Sequence, residues 1–253
     1  MSETTAPILQ VVGITKRFGG LTAVNNVSME IRSGEVVGLV GDNGAGKSTL
    51  IKMISGVYRP DEGQVLLEGQ ETNFATPLEA RERGIETIYQ DLALCENLDA
   101  TVNIFLGREP LRRTLGLFKT VDRPLMLAES QEVLNQLDIH IPNLRRPIRE
   151  MSGGQRQAVA IARAVYWKAR LMIMDEPTAA LAVPEQRKVH ELVRTLRERG
   201  VPVIIISHNL QDVFAVADRI VVMRRGRKVA DRPAASLASD DVVSLMVGAT
   251  VGD

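Results

Sequence analysis

The sequence has a single cysteine, Cys95, so no disulfide can close within the chain, and such scarcity fits a reducing compartment. It has no surplus of either charge. The 31 Lys and Arg balance 31 Asp and Glu, which removes a global basic field for nucleic acid or anionic lipid. Long apolar runs are missing too. The longest, such as residues 171–174 and 203–206, are the size of a strand and far below the ~18 residues of a spanning helix. The opening residues MSETTAPILQ lack a basic start followed by an apolar block, so no secretory leader is expected. No internal repeat or low-complexity tract stands out. These absences predict a soluble, cytosolic chain in which any membrane role comes through a partner.

What is there is 253 residues, 45% of them hydrophobic, enough for a real core. Residues 8–31 read as short strands broken by Gly13, Gly19-Gly20 and Asn25-Asn26. Residues 36–40 form an apolar strand that enters a glycine-rich turn, and residues 48–55 then have helical character. Residues 64–68 are a further strand. The pattern from about 92 to 171 turns largely helical, interrupted by a Pro- and Arg-rich section at 145–147. Residues 171–174 and 203–206 are strands of the buried type, separated by a helix over 184–199 with Pro184 at its start and Gly200 past its end. Strands alternating with helices imply a parallel sheet covered on both faces.

Gly41-Asp42-Asn43-Gly44-Ala45-Gly46-Lys47-Ser48 matches G-x-x-x-x-G-K-[ST] between a predicted strand and a predicted helix. Phosphates carry dense negative charge, so they need backbone N–H groups crowded round them. Glycines permit that approach, and the following helix adds its positive N-terminal end. Lys47 reaches the terminal phosphates and the Ser48 hydroxyl is placed for Mg²⁺. The apolar strand at 171–174 ends in Asp175-Glu176, where an acid that holds Mg²⁺ is expected, and Glu176 is then positioned to polarise an attacking water. The strand at 203–206 ends near His208. In a parallel sheet that strand delivers the imidazole to the same crevice, where it contacts the terminal phosphate and keeps Glu176 and the water in line.

Met151-Ser152-Gly153-Gly154-Gln155 has no task near the phosphates of its own P-loop. With the motifs above it resembles the signature sequence of the ATP-binding-cassette (ABC) ATPases. The resemblance runs from Phe18 to about Gly226, with the motifs in the family's order. It implies an α/β P-loop NTPase: a mostly parallel sheet core with an antiparallel β subdomain and an inserted α-helical subdomain. On that pattern one ABC domain fills residues 1–253. Its nucleotide-binding core is 8–91 and 165–235, its helical signature subdomain about 92–164, and its tail 236–253. The cofactors implied are ATP and Mg²⁺. Phe18 matches the aromatic that stacks on adenine, and Gly41, Asp42, Asn43, Gly44, Ala45, Gly46, Lys47, Ser48 and Thr49 the loop that holds the phosphates. Ser48, Gln90 and Asp175 are the implied metal ligands. Glu176, His208, Lys47 and Gln90 carry the chemistry. The family works as a head-to-tail dimer, so Ser152, Gly153, Gly154 and Gln155 of one protomer would clamp the γ-phosphate on the other.

Glu79-Ala80-Arg81, the run from Gly84 to Gln90, and Asn103-Ile104-Phe105-Leu106-Gly107-Arg108-Glu109 look like ATPases of bacterial monosaccharide importers of the ribose, xylose and fructose group. That likeness implies an ATPase on the inner face of the cell membrane. Its partners would be a second ATPase protomer, transmembrane permease subunits and, indirectly, a periplasmic or extracellular solute-binding protein, with no nucleic acid. The alternatives are an ABC ATPase for another small solute, or a soluble cassette outside transport. The chain departs from the family pattern at Ala182, where Asp is common, and at Met151, where Leu is usual. Cys95 reads as a small packing residue, His140 and His190 as surface residues, and Trp167 as part of the helical packing.

Overall fold

The computed structural model describes residues 6–72, 74–89, 92–114, 118–179 and 181–248. In chain order the elements are β1 (Leu9–Phe18), β2 (Leu21–Ile31), β3 (Val36–Val40), α1 (Lys47–Ile54), β4 (Glu62–Leu67), β5 (Gln70–Thr72), α2 (Pro77–Glu82), β6 (Ile85–Ile88) and α3 (Ala100–Phe105). They continue with β7 (Leu111–Thr114), β8 (Phe118–Val121), α4 (Arg123–Gln136), α5 (Gly153–Tyr166), β9 (Leu171–Asp175) and α6 (Val183–Glu198). The last are β10 (Val203–Ile206), α7 (Leu210–Val216), β11 (Arg219–Arg224), β12 (Arg227–Pro233) and α8 (Ser239–Val247).

The main sheet runs β12-β11-β3-β10-β9-β6, parallel throughout except for the antiparallel edge β12. Its central strands VVGLV, LMIM and VIII are buried almost completely, as expected of parallel strands covered on both faces. One face packs Val36, Met172, Met174, Val203 and Ile205 against Phe105 of α3, Met126 and Leu134 of α4, Ile161 of α5 and Leu192 of α6. The other face packs Val37, Leu39, Ile173, Ile204 and Ile206 against Leu50, Ile51 and Ile54 of α1 and the inner side of a second, antiparallel sheet, β2-β1-β4-β5. Each such side chain contributes about 1.5–3 kcal/mol.

The two sheets are also tied by charge. Arg219 on β11 reaches Glu35 before β3 at 2.6 Å, Asp231 on β12 at 2.5 Å and the Glu30 carbonyl on β2 at 2.5 Å. Burial alone would lower the Arg219 pKa, but the hydrogen bonds it donates to Glu35 and Asp231 outweigh that and drive the pKa up. The guanidinium stays charged.

Two expectations about local structure change. Residues 8–31 form two long paired strands rather than several short ones. Gly13 and Asn26, both at positive φ, sit at register shifts between β1 and β2, so these breakers make bulges inside strands instead of ending them. The largely helical stretch also contains the antiparallel pair β7–β8, whose described side chains are all exposed.

Candidate active site

Beside β3 lie β10 and β11, strands that arrive from opposite halves of the sheet order, and the crevice at their carboxyl ends is the topological switch point. The loop 41–46 starts there and turns into α1. Two of its glycines are required by close approach. A Cβ on Gly41 would lie 2.3 Å from the Met223 carbonyl oxygen, and one on Gly46, at φ 102°, would lie 2.5 Å from that of Ala23. Strand β11 and strand β2 therefore brace the loop from outside. The turn after β11 completes the brace: Gly226 N–H donates to the Ala45 carbonyl at 3.0 Å, and Asn25 N–H donates to the Gly226 carbonyl at 2.7 Å.

No side chain caps the start of α1, so its first N–H groups face the crevice without a side-chain acceptor. Lys47 folds back on the loop, donating to the carbonyls of Gly41 at 2.6 Å and Asp42 at 3.0 Å. Burial pulls the Lys47 pKa down, against the pull of Glu176, Asp175 and Asp42. A partly desolvated ammonium beside uncapped helix donors fits a polyphosphate. The cavity over them, about 530 Å³, is lined by Phe18, Leu21, Thr22, Ala23, residues 43–49, Arg225 and Gly226. Phe18 is 42% exposed and is steadied edge-on by Tyr58, with ring centroids 5.3 Å apart. One face of an exposed ring at the cavity wall suits a flat base.

Asp175 ends β9 opposite Ile206 of β10. Burial, then the neighbouring Glu176 carboxylate, raises its pKa, while Lys47 and Lys52 oppose the rise. A buried carboxylate crowded by a second one, as Asp175 is by Glu176, suits a divalent cation. Glu176 sits at φ 52° and its N–H donates to the Ile206 carbonyl at 2.9 Å. Its carboxylate accepts from His208 N–H at 3.0 Å and lies 2.8 Å from His208 Nδ1, with Ser207 Oγ at 3.4 Å. The structure thus brings Lys47, Ser48, Thr49, Asp175, Glu176 and His208 to one crevice, with Phe18 at its rim. Gln90 lies outside the described residues.

Ser152, Gly153, Gly154 and Gln155 do not line the phosphate cavity. They begin α5, where Ser152 Oγ accepts from Gln155 N–H at 3.3 Å and Gln155 Oε1 accepts from Ser152 N–H at 3.0 Å. Gly153 instead shares a narrower cleft of about 240 Å³ with Tyr89 and Glu176. Two residues set aside on sequence grounds look different in place. Cys95 is exposed rather than packed, because Asn103 takes the buried position and bonds the Cys95 backbone at 2.7 and 3.1 Å. His190 is no surface residue: its side chain is 12% exposed and Nε2 lies 3.1 Å from Asp212, which also accepts from Thr178 Oγ1 at 2.7 Å. His140 is exposed, and Trp167 packs on Phe105 and Tyr166 with Nε1 donating to the Ile104 carbonyl. Arg225, one of a basic pair that reads from the sequence as a solvated or ion-paired face, lines the phosphate cavity, and the sequence reading missed Tyr58 and Glu185. Glu185 alone left a signal, a Pro-Glu pair in the first turn of a helix.

A glycine turn from the central strand into an uncapped helix, with an acidic pair on the neighbouring strand, defines a P-loop nucleotide-binding protein. The comparisons narrow the class. A family model described as ABC transporter matches residues 24–179. A xylose/arabinose import ATP-binding protein of Sulfolobus acidocaldarius is 46% identical over 97% of this chain and 96% of its own length. A fructose import ATP-binding protein of Rhizobium meliloti is 45% identical over 96% and 95%. Among solved structures, a nucleotide-free ATP-binding cassette from an ABC transporter superposes with a TM-score of 0.80 at 27% identity, covering 98% of this chain and all of that one. A dimeric cassette bound to ADP and Pi superposes with a TM-score of 0.74 at 25% identity, over 89% and 98%. The chain belongs to the ABC transporter family, as an ATP-binding and ATP-hydrolysing cassette.

Proposed function

We propose that this cassette powers a monosaccharide importer, working as a head-to-tail pair on the inner face of the membrane beneath transmembrane permease subunits. The observation that carries the dimer is the separation of donors: the start of α5 lies outside the phosphate cavity of its own chain. A second protomer brings it there, and a dimeric solved relative supports that arrangement. The sugar assignment is supported by relatives whose names specify xylose/arabinose and fructose import. Among the described residues no helix is long and apolar enough to cross a membrane. Residues 8–91 and 165–235 form the nucleotide-binding core in this proposal, with the signature helix in a subdomain of about 92–164.

Each residue then has a task. Phe18 stacks on adenine. Residues 41–49 bind the phosphates through backbone N–H groups, and Lys47 exchanges its contacts with the Gly41 and Asp42 carbonyls for phosphate oxygens. Ser48 and Asp175, with Gln90, would hold Mg²⁺, which supplies positive charge to the phosphate oxygens when bound. Glu176 accepts a proton from water, and His208 fixes the carboxylate that does so. Ser152 and the N–H groups of Gly153 and Gly154 clamp the far side of the partner's nucleotide. A solute-binding protein outside the membrane would deliver the sugar.

The test is uptake. Deleting the chain from its host should abolish ATP-dependent uptake of at least one labelled pentose or hexose, with rescue by the wild type and not by Lys47→Ala. Unchanged uptake of every monosaccharide tried sinks the sugar assignment.

A further inference from the structure

The N-terminal end of α5 is occupied within its own chain. Glu185, in the first turn of α6, places Oε1 3.3 Å from the N–H of Gly154, which donates to it. Its Cβ and Cγ would both lie 3.4 Å from a Cβ built on Gly154, and Oε2 3.7 Å from one on Gly153, where Leu181 covers the remaining side. The side chain therefore lies across both glycines. Hydrogen bonds from Gly154 N–H and the Ser152 side chain hold its carboxyl below the usual carboxylate range, so it is charged at neutral pH. These are donors that the proposed dimer assigns to the partner's γ-phosphate.

From this overlap we propose that Glu185 is an internal stand-in for phosphate, seated on the signature end of α5 in the separate protomer and displaced when ATP brings two protomers together. The inference rests on the head-to-tail reading above. A carboxylate and a phosphate oxygen compete for the same N–H groups and the same positive helix end. They also repel, so both cannot sit there without loss. Glu185 has somewhere to go. Its Oε2 already accepts from Ala182 N–H at 3.4 Å, at the uncapped start of α6, where a carboxylate in the first turn is favoured by that helix as well. The displaced group moves from one helix terminus to another within the same side chain's reach. The separate protomer thus keeps its clamp satisfied, and closure requires ATP to win it.

The experiment compares Glu176→Gln with Glu176→Gln/Glu185→Gln by analytical ultracentrifugation, titrating ATP with Mg²⁺ at low salt and at 0.5 M NaCl. Removing the charge should lower the ATP concentration for half-maximal dimer by roughly 3- to 30-fold over two sites, since each helix terminus prefers an anion by several fold. That gain should shrink at high salt, because it is electrostatic. A role confined to capping α6 predicts the opposite, a weaker dimer and no salt dependence of the difference. Glu185→Asp, which keeps the charge but shortens the reach to Gly154, should fall between the two. If Glu176→Gln dimerises and the double variant needs as much ATP or more, the stand-in role is overturned and the dimer stands. If Glu176→Gln stays monomeric at saturating ATP, the dimer itself is overturned, and the stand-in role with it.

Discussion

Glu176 adopts a left-handed backbone at φ 52°, a conformation that costs a residue other than glycine about 1 kcal/mol or more. It is held there by its N–H bond to Ile206 and by three contacts to its carboxylate from Ser207 and His208. An amide at this position keeps most of those contacts but cannot take a proton from water. Glu176→Gln should therefore lower the turnover of ATP by about 10²- to 10⁴-fold while leaving ATP affinity intact, which single-turnover kinetics and equilibrium binding read separately. Asp175 next to it faces the opposite trade. Its pKa is raised by burial and by Glu176, so at neutral pH its ionised form works against folding until a cation arrives. Asp175→Asn should raise the Tm of the nucleotide-free protein at pH 7 by about 2–4 °C, the shift that 1 kcal/mol produces in a chain of this size. Because the folded pKa lies above the unfolded one, the gain should fade as the pH drops through the folded value and vanish below about 4. The same variant should lose Mg²⁺-dependent hydrolysis. An unchanged melting curve across that range counts against the crowded pair.

The elements most legible in the sequence are those whose residues carry both pattern and chemistry. Strand β3 is bounded as the apolar run predicts, and the strand, glycine turn and helix that follow it match their motif to within a residue. A run of four or five apolar residues followed by Gly or Asp-Glu leaves few alternatives. Strands β6, β11 and β12 were not anticipated. Ile85–Ile88 is only four residues long and gains its place by pairing with β9, almost ninety residues on, which no local pattern reports. The alternation of 8–31 was visible, but Gly13 and Asn26 look like strand ends in one dimension and prove to be bulges once a partner strand fixes the register. The pair β7–β8 was masked by the helical residues around it. In the site itself, Lys47, Ser48 and Thr49 share a cavity with Phe18, and Glu176 meets His208. Those found only in the structure, Tyr58 and Glu185, act through neighbours distant in sequence, Phe18 and Gly154. The phosphate loop is the element with least tolerance. Gly46→Ala puts a Cβ 2.5 Å from the Ala23 carbonyl at φ 102°, so the loop must retreat from β2. It should cost about 1–3 kcal/mol in stability and at least ~10-fold in ATP affinity, measured by thermal unfolding and calorimetry.

At the scale of the whole molecule, Arg219 joins strands β2, β11 and β12 to the turn before β3. Its side chain is 14% exposed, so removing it strands the Glu35 and Asp231 carboxylates in a poorly solvated place. Arg219→Ala should destabilise by about 3 kcal/mol, or roughly 6–12 °C in Tm. Burial would raise the Asp231 pKa, but hydrogen bonds from Lys228 and Arg219 outweigh it and hold the group below 3.8. A depressed carboxylate stabilises above its unfolded pKa and loses that contribution as the pH falls through the folded one, so wild type and variant should converge below about pH 4. Denaturant titrations at pH 7 and pH 3 measure both limbs, and an equal gap at the two pH values refutes the account. The brace behind the phosphate loop reaches just as far. Gly41 and Gly46 rest on Met223 and Ala23, and Ala45 is bonded by Gly226. Residues 41–48 therefore leave the ribosome about 180 residues ahead of the strand and turn that shape them. At about 5–20 residues per second, the nascent chain carries a phosphate motif without a phosphate site for roughly ten to forty seconds. Neither strand beside β3 exists until residue 203, so a motif translated early is among the last to become competent. During that interval the loop lacks its brace, and a ribosome stalled before Val203 exposes the apolar β3 without either of its neighbours.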